Sequence, residues 1–155
     1  MLRSLPSLMS RVRRNGRLCF TLYAKPLIQV MWAPVLVFTL HQISLLAAQN
    51  TYWWDEWMHL LGGLAIARMT YTLLDMVQHK GLAPRLPLWV IGGLILGSVL
   101  LFGVMWEWFE WFLWVYIDPS IGLTLDDTLK DLANDVAGGL LFLIGWIVVH
   151  EEGGS

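Results

Sequence analysis

Four apolar runs, each long enough to cross a bilayer, leave this chain few folds to choose from. A helix needs about 20 mostly apolar residues to traverse the hydrocarbon layer. Such runs cover residues 27–48, 53–77, 87–117 and 124–149. In lipid, backbone polar groups must be satisfied within the segment or a closed barrel, so runs of this length and character are read as helices. The expected class is all-α: an integral membrane bundle of four transmembrane helices, in a single domain over 27–150. The chain has 155 residues, which leaves no room for a second domain, and its 57% hydrophobic content excludes disorder and an ordinary soluble domain. The third run is long and is expected to tilt or project. Pro34 is expected to kink the first.

Orientation is read from basic residues. Residues 1–26 carry Arg3, Arg11, Arg13, Arg14, Arg17 and Lys25, and are expected to form a basic amphipathic segment on the cytoplasmic surface, touching anionic lipid. The 78–86 loop carries Lys80 and Arg85, whereas the 49–52 and 118–123 connections carry no basic residue. The positive-inside rule then puts both termini in the cytoplasm. The expected location is a bacterial inner membrane, with the two uncharged connections facing the periplasm. A cleavable signal peptide is the competing reading of the start, but the apolar run is long for one and no A-x-A site follows it. Residues 151–155 read as a C-terminal tail, and Gly153-Gly154-Ser155 as an appended scar. The lone Cys19 forms no internal disulfide and cannot build a thiolate zinc site alone.

The charge pattern is the second constraint. Of twelve carboxylates, Asp55, Glu56, Glu107, Glu110, Asp118, Asp126, Asp127, Asp131 and Asp135 fall near the ends of runs that should meet at one membrane face. Ionisable groups inside a bilayer are costly and mark functional sites by default. At about 1.5 Å per residue, Asp55, Glu56 and Asp127 lie within a turn of the surface, His41, His59, Glu110 and Asp131 about 10 Å in, and Glu107 and Asp135 a turn deeper. Asp55 with His59, Glu56 with His59, Glu107 with Glu110, and Asp127 with Asp131 and Asn134 recur at i, i+3, i+4 or i+7, so each set shares a helix face. A Glu-x-x-His pair facing carboxylates on other helices is how bundles assemble two-metal sites. The expected ligands are Glu56, His59, Glu107, Glu110, Asp131 and Asp135, around one or two divalent ions. Oxygen and imidazole donors suit zinc, manganese, iron or magnesium. Asp55 or Asp127 is the candidate base, and His41, Arg68 and Asn134 are candidate polar walls.

Plainer readings stand beside these. Thr124 with Asp127 resembles a capping box, and Asp126 with Lys130 an i, i+4 ion pair. Asp118 before Pro119 reads as a turn residue. One of Asp55 and Glu56 is as readily a surface group, and His41 beside Gln42 a satisfied core histidine. Arg68 is read as closing the site from below by pairing with Asp135 or Glu107, with a snorkelling contact to Asp75 as the alternative. The outer-half tryptophans read mostly as an interfacial belt. Trp106, Trp108 and Trp111 interleave with the glutamates, and some of them are candidates to wall the site.

Asp55-x-x-x-His59-x-x-x-Gly63, Glu107-x-x-Glu110 and Asp131-Leu-Ala-Asn134-Asp-Val-Ala-Gly138 together resemble the D-K-x-x-H-F, E-x-x-Q and D-L-x-x-N-T-x-G motifs of VanZ-like membrane proteins. Trp106-Glu-Trp-Phe-Glu-Trp111 is similar to a Y-E-x-x-E-W string of the YjdF-like branch. The matches span the last three runs. The resemblance implies a small bundle in a cell envelope, tolerance of a glycopeptide antibiotic for the VanZ-like group, and little chemistry. Glu110 departs from the VanZ-like Gln, and the added charge favours a cation.

The leading expectation is an outward-facing, metal-dependent hydrolase or transferase acting on an envelope lipid or lipid-linked substrate. The alternatives are a divalent cation or proton transporter or channel component, and a structural or accessory subunit with an ion-stabilised acidic cluster. Expected partners are membrane lipids, a second copy of the chain or another membrane subunit. Nothing in the sequence points to nucleic acid.

Overall fold

The computed structural model describes residues 25–46, 52–117 and 124–152. The basic segment up to residue 24, Asp118 and the last three residues lie outside the described residues. Four long helices make up the rest: α1 Lys25–Leu46, α2 Tyr52–His79, α3 Leu88–Tyr116 and α4 Leu125–Glu152. All four are long and apolar enough to span a membrane, so the chain is an integral membrane protein of all-helical class.

Local chemistry sets the helix ends. Gly81 has φ 70, a left-handed conformation that glycine adopts without penalty, and the turn after α2 closes through Gly81 N–H to Gln78 O at 3.0 Å. Pro87 precedes α3 in extended conformation and stops the chain from helix formation one residue early. At the start of α4 the Asp127 N–H donates to Thr124 Oγ1 at 3.2 Å, an N-terminal cap. Pro34 lies inside α1.

α2 is the hub of the bundle. It packs on α1, α3 and α4, and α4 also packs on α3, while the backbone of α1 meets only that of α2 among the described residues. The α2–α4 seam is the tightest. A Cβ on Gly63 would overlap the Asp135 carbonyl oxygen, and one on Gly138 would overlap the Leu60 carbonyl oxygen. Small residues let helices approach in lipid, where van der Waals packing replaces the hydrophobic effect as the driving force. In the half of the bundle nearer the Lys80–Arg85 loop, Ala67, Ile95, Val99 and Leu143 form a buried apolar core, with Tyr71, Leu96 and Phe142 packed against it. Most large apolar side chains of the outer faces are exposed, as lipid-facing surfaces require.

Candidate metal centre

The opposite half of the same interior is polar. α2 supplies Asp55 and His59, α3 supplies Glu107 and Glu110, α4 supplies Asp131 and Asp135, and α1 supplies His41 near its C-terminal end. The i, i+4 spacings on α2 and α4 aim each pair at the facing helix. His41, His59, Glu107, Asp131 and Asp135 are all buried, and Asp55 and Glu110 are half-buried.

Three histidine–carboxylate contacts cross between helices. His41 Nε2 lies 3.2 Å from Asp55 Oδ1, joining α1 to α2. His59 Nδ1 lies 3.5 Å from Asp135 Oδ2, and its Nε2 lies 3.9 Å from Asp131 Oδ1, joining α2 to α4. On α3 the Trp106 indole N–H donates to Glu110 Oε1 at 2.9 Å, and the ring packs edge-on against His41 with centroids 5.2 Å apart. Ser44 Oγ donates to the His41 carbonyl at 2.7 Å.

Three triads place one ligand atom each within 4.8 Å of the others: His41, Asp55 and Glu110; Asp55, His59 and Asp131; His59, Glu107 and Glu110. Asp55, His59 and Glu110 each belong to two of them, so the three sites merge into one pocket fed by all four helices. His59 Nε2, both Glu107 oxygens and Asp131 Oδ2 are buried without a partner in good hydrogen-bond geometry, the Thr128 side chain offering Glu107 no more than a weak contact. Unpaired buried polar atoms cost about 1–3 kcal/mol each, and more when charged. A cation placed among them satisfies several at once. The hard and borderline donors fit zinc, manganese, iron or magnesium.

Several expected positions fall elsewhere. Glu56 is half-buried and belongs to none of the triads. Asp127 is half-buried, with its own N–H in the helix cap, and Asn134 is half-buried. Asp135 pairs with His59 but also belongs to no triad. Arg68 does not close the site. Its guanidinium donates to the Gln29 carbonyl at 3.3 Å and lies over the Trp32 ring at 4.5 Å, both on α1. Asp75 instead pairs with His79 at 3.2 Å. Nine residues separate His59 from Arg68, a rotation of roughly 180°, which turns Arg68 to the far side of α2. Lys130 pairs with Asp126 at 2.7 Å, as their spacing predicts. The role of Trp106 as a donor to Glu110 was not anticipated, although the i, i+4 spacing pointed to it. Trp108 and Trp111 are exposed.

The burial corrects the outward-facing expectation. The triads face inward, toward one another, and not onto the outer membrane surface. A hydrolase or transferase presenting this cluster to a lipid at the outer leaflet therefore does not describe the molecule.

A family model for a predicted membrane protein (DUF2238) matches residues 6–152. That family is distinct from the VanZ-like and YjdF-like groups, so the motif resemblance is corrected. Its physical reason is plain: polar pairs at i, i+3 and i+4 recur wherever a bundle turns acids inward, whereas the family match runs through all four helices and the segment before them. Comparison with curated proteins and with solved structures gives no match.

Proposed function

The chain belongs to the DUF2238 family, and we propose that it is a structural or accessory membrane subunit that holds a divalent cation inside its helix bundle. One observation carries this reading: buried ligand atoms of His59, Glu107 and Asp131 without a partner in good hydrogen-bond geometry converge within the merged triads. The bound charge offsets the mutual repulsion of the acids and ties the helices together. Asp55, His59 and Asp131 supply the most central donor set, with Glu107 and Glu110 completing it from α3.

A second reading, passage of cations or protons, draws on the chain of overlapping triads, which links the half-buried Asp55 and Glu110 to the buried Glu107 and Asp131. The apolar core of Ala67, Ile95, Val99 and Leu143 stands against it, because it blocks the route beyond Asp135. In the proposed orientation both termini and the Lys80–Arg85 loop are cytoplasmic. The cluster then lies in the half of the bilayer remote from the cytoplasm.

Elemental analysis of the purified protein, with thermal unfolding before and after chelation, tests the proposal. Stoichiometric metal and a lower melting temperature after chelation are expected. Metal-free protein with an unchanged melting temperature overturns it. Divalent-ion flux in proteoliposomes supports the second reading instead.

A further inference from the structure

A cavity of about 310 Å³ lies between α1 and α3, over one face of α2. The backbones of α1 and α3 do not meet there, and the Trp106 side chain bridges the gap, with ring centroids 5.7 Å from Phe38 and 5.2 Å from His41. The cleft thus opens sideways, toward hydrocarbon, between the exposed Val35, Phe38 and Phe102. Its volume is at the lower end of small-molecule pockets, about 300–1,000 Å³. The lining is apolar except at one end, where His41, His59 and Asp135 stand.

Asp135 is the telling residue. It is only 6% exposed. The one hydrogen-bond contact found for its carboxylate among the described residues is the long one from His59, at 3.5 Å. Its other oxygen, Oδ1, faces Gly62, where a Cβ would stand at an ordinary 3.7 Å. Helix packing therefore explains glycine at 63 and not at 62. A glycine inside a helix costs about 0.8–1.0 kcal/mol relative to alanine. Gly62 does something else: it leaves the cavity floor bare over the Asp135 carboxylate.

We propose that this cleft binds a lipophilic amine or ammonium ion taken laterally from the bilayer, its cationic head on Asp135 beside Gly62 and its apolar body against Phe38, Phe102 and Trp106. Charge selects the head. In the cluster, the carboxylates of Asp55, Glu107, Glu110, Asp131 and Asp135 face only the imidazoles of His41 and His59, so an anionic head is repelled, and a neutral one leaves Asp135 with only the long 3.5 Å contact from His59. The inference uses a carboxylate that the three triads omit, Asp135, although His59 touches both it and the proposed metal site.

Three probes with one chain length and different heads test it: radiolabelled dodecylamine, dodecanol and dodecanoate, added to the full chain in phosphatidylcholine nanodiscs. Dodecylamine is expected to bind saturably. Dodecanol should bind about tenfold more weakly or less, a gap of roughly 1.4 kcal/mol, and dodecanoate should not bind. Asp135→Asn should bring the amine down to the level of the alcohol. Val37→Trp and Gly62→Leu fill the cleft from its α1 wall and its α2 floor and should abolish saturable binding. Leu36→Trp, on the lipid-facing side of α1, should not. Equal uptake of all three probes overturns the proposal, as does amine binding that survives both filling variants. Metal content, measured on Gly62→Leu in parallel, separates failure of this idea from failure of the metal reading. An aminolipid that co-purifies and is displaced by dodecylamine identifies the source as membrane lipid. Saturable amine binding without one identifies a free lipophilic amine.

Discussion

The same three helices build two interiors of opposite chemistry. Toward the Lys80–Arg85 loop, α2, α3 and α4 contribute Ala67, Ile95, Val99 and Leu143. Eight to twelve residues away along each helix they contribute His59, Glu107, Asp131 and Asp135. The first interior is complete by itself, since its atoms want only contact. The second is incomplete, since four of its buried polar atoms have no partner in good hydrogen-bond geometry and its acids repel one another. A bundle needs the first kind to be stable; the second kind carries mutual repulsion that the proposed cation would relieve. Between the two runs a layer of close helix contact, at Gly63, Gly103, Asp135 and Gly138.

That layer is where the largest effect is expected. Gly138→Ala puts a methyl group into the Leu60 carbonyl, backbone against backbone, with no flexible side chain to yield. Overpacking commonly costs about 1–3 kcal/mol and more where nothing can move, so loss of monodisperse, thermally cooperative protein is expected. Gly139→Ala is the matched control. Its Cβ would approach the Val99 Cγ2 at 3.1 Å, a side-chain contact that can shift by a few tenths of an ångström. If both variants melt alike, the seam is not the rigid divider described above.

The next effects separate the two interiors directly. His59→Leu removes the only imidazole lying between Asp131 and Asp135 among the described residues. Breaking a buried charge pair by deleting one partner costs about 3–5 kcal/mol. The melting temperature should fall, metal content should fall with it, and chelation should produce no further change. Val99→Ala deletes buried methyl groups in the dry half instead. It should cost about 1–3 kcal/mol as a packing defect, while metal content and the response to chelator stay as in the parent. A chelator response lost in Val99→Ala, or kept in His59→Leu, breaks the division of labour.

The spans were legible because hydropathy over 20 or more residues overwhelms every local signal; each predicted limit lies within about three residues of the observed one. Convergence of Asp55, His59, Glu107, Glu110 and Asp131 was legible too, because depth along a helix follows from residue count. What sequence concealed was azimuth between helices. Arg68 had the right depth to close the site and the wrong rotation. His41 read as an ordinary core histidine or wall, since nothing in the α1 sequence shows that its ring meets Asp55 on α2. Burial was misread for the same reason: acids near a membrane face suggest an open mouth, yet whether they point at water or at each other depends on how the helices rotate. The lateral cleft was invisible, because it exists only where α1 and α3 fail to touch.

The smallest expected effect marks the rim of the polar half. Asp126 sits in the first turn of α4 and pairs with Lys130 at 2.7 Å, but its side chain is 80% exposed. Water and salt screen such a pair, and measured values for exposed pairs run from about 0.2 to 1 kcal/mol. The favourable position at a helix N-terminus adds a few tenths of a kcal/mol more, about 0.3–1 at most on an exposed surface. Asp126→Ala should therefore lower the melting temperature slightly, and high salt should erase most of the difference. Metal content should not change, because Asp126 belongs to none of the triads. A carboxylate one residue from the half-buried Asp127 and five from the buried Asp131 would then be shown to act as solvated charge. Loss of metal on this substitution would extend the cluster to the helix surface, and the sharp line between paired surface acids and unpaired interior acids would have to move outward.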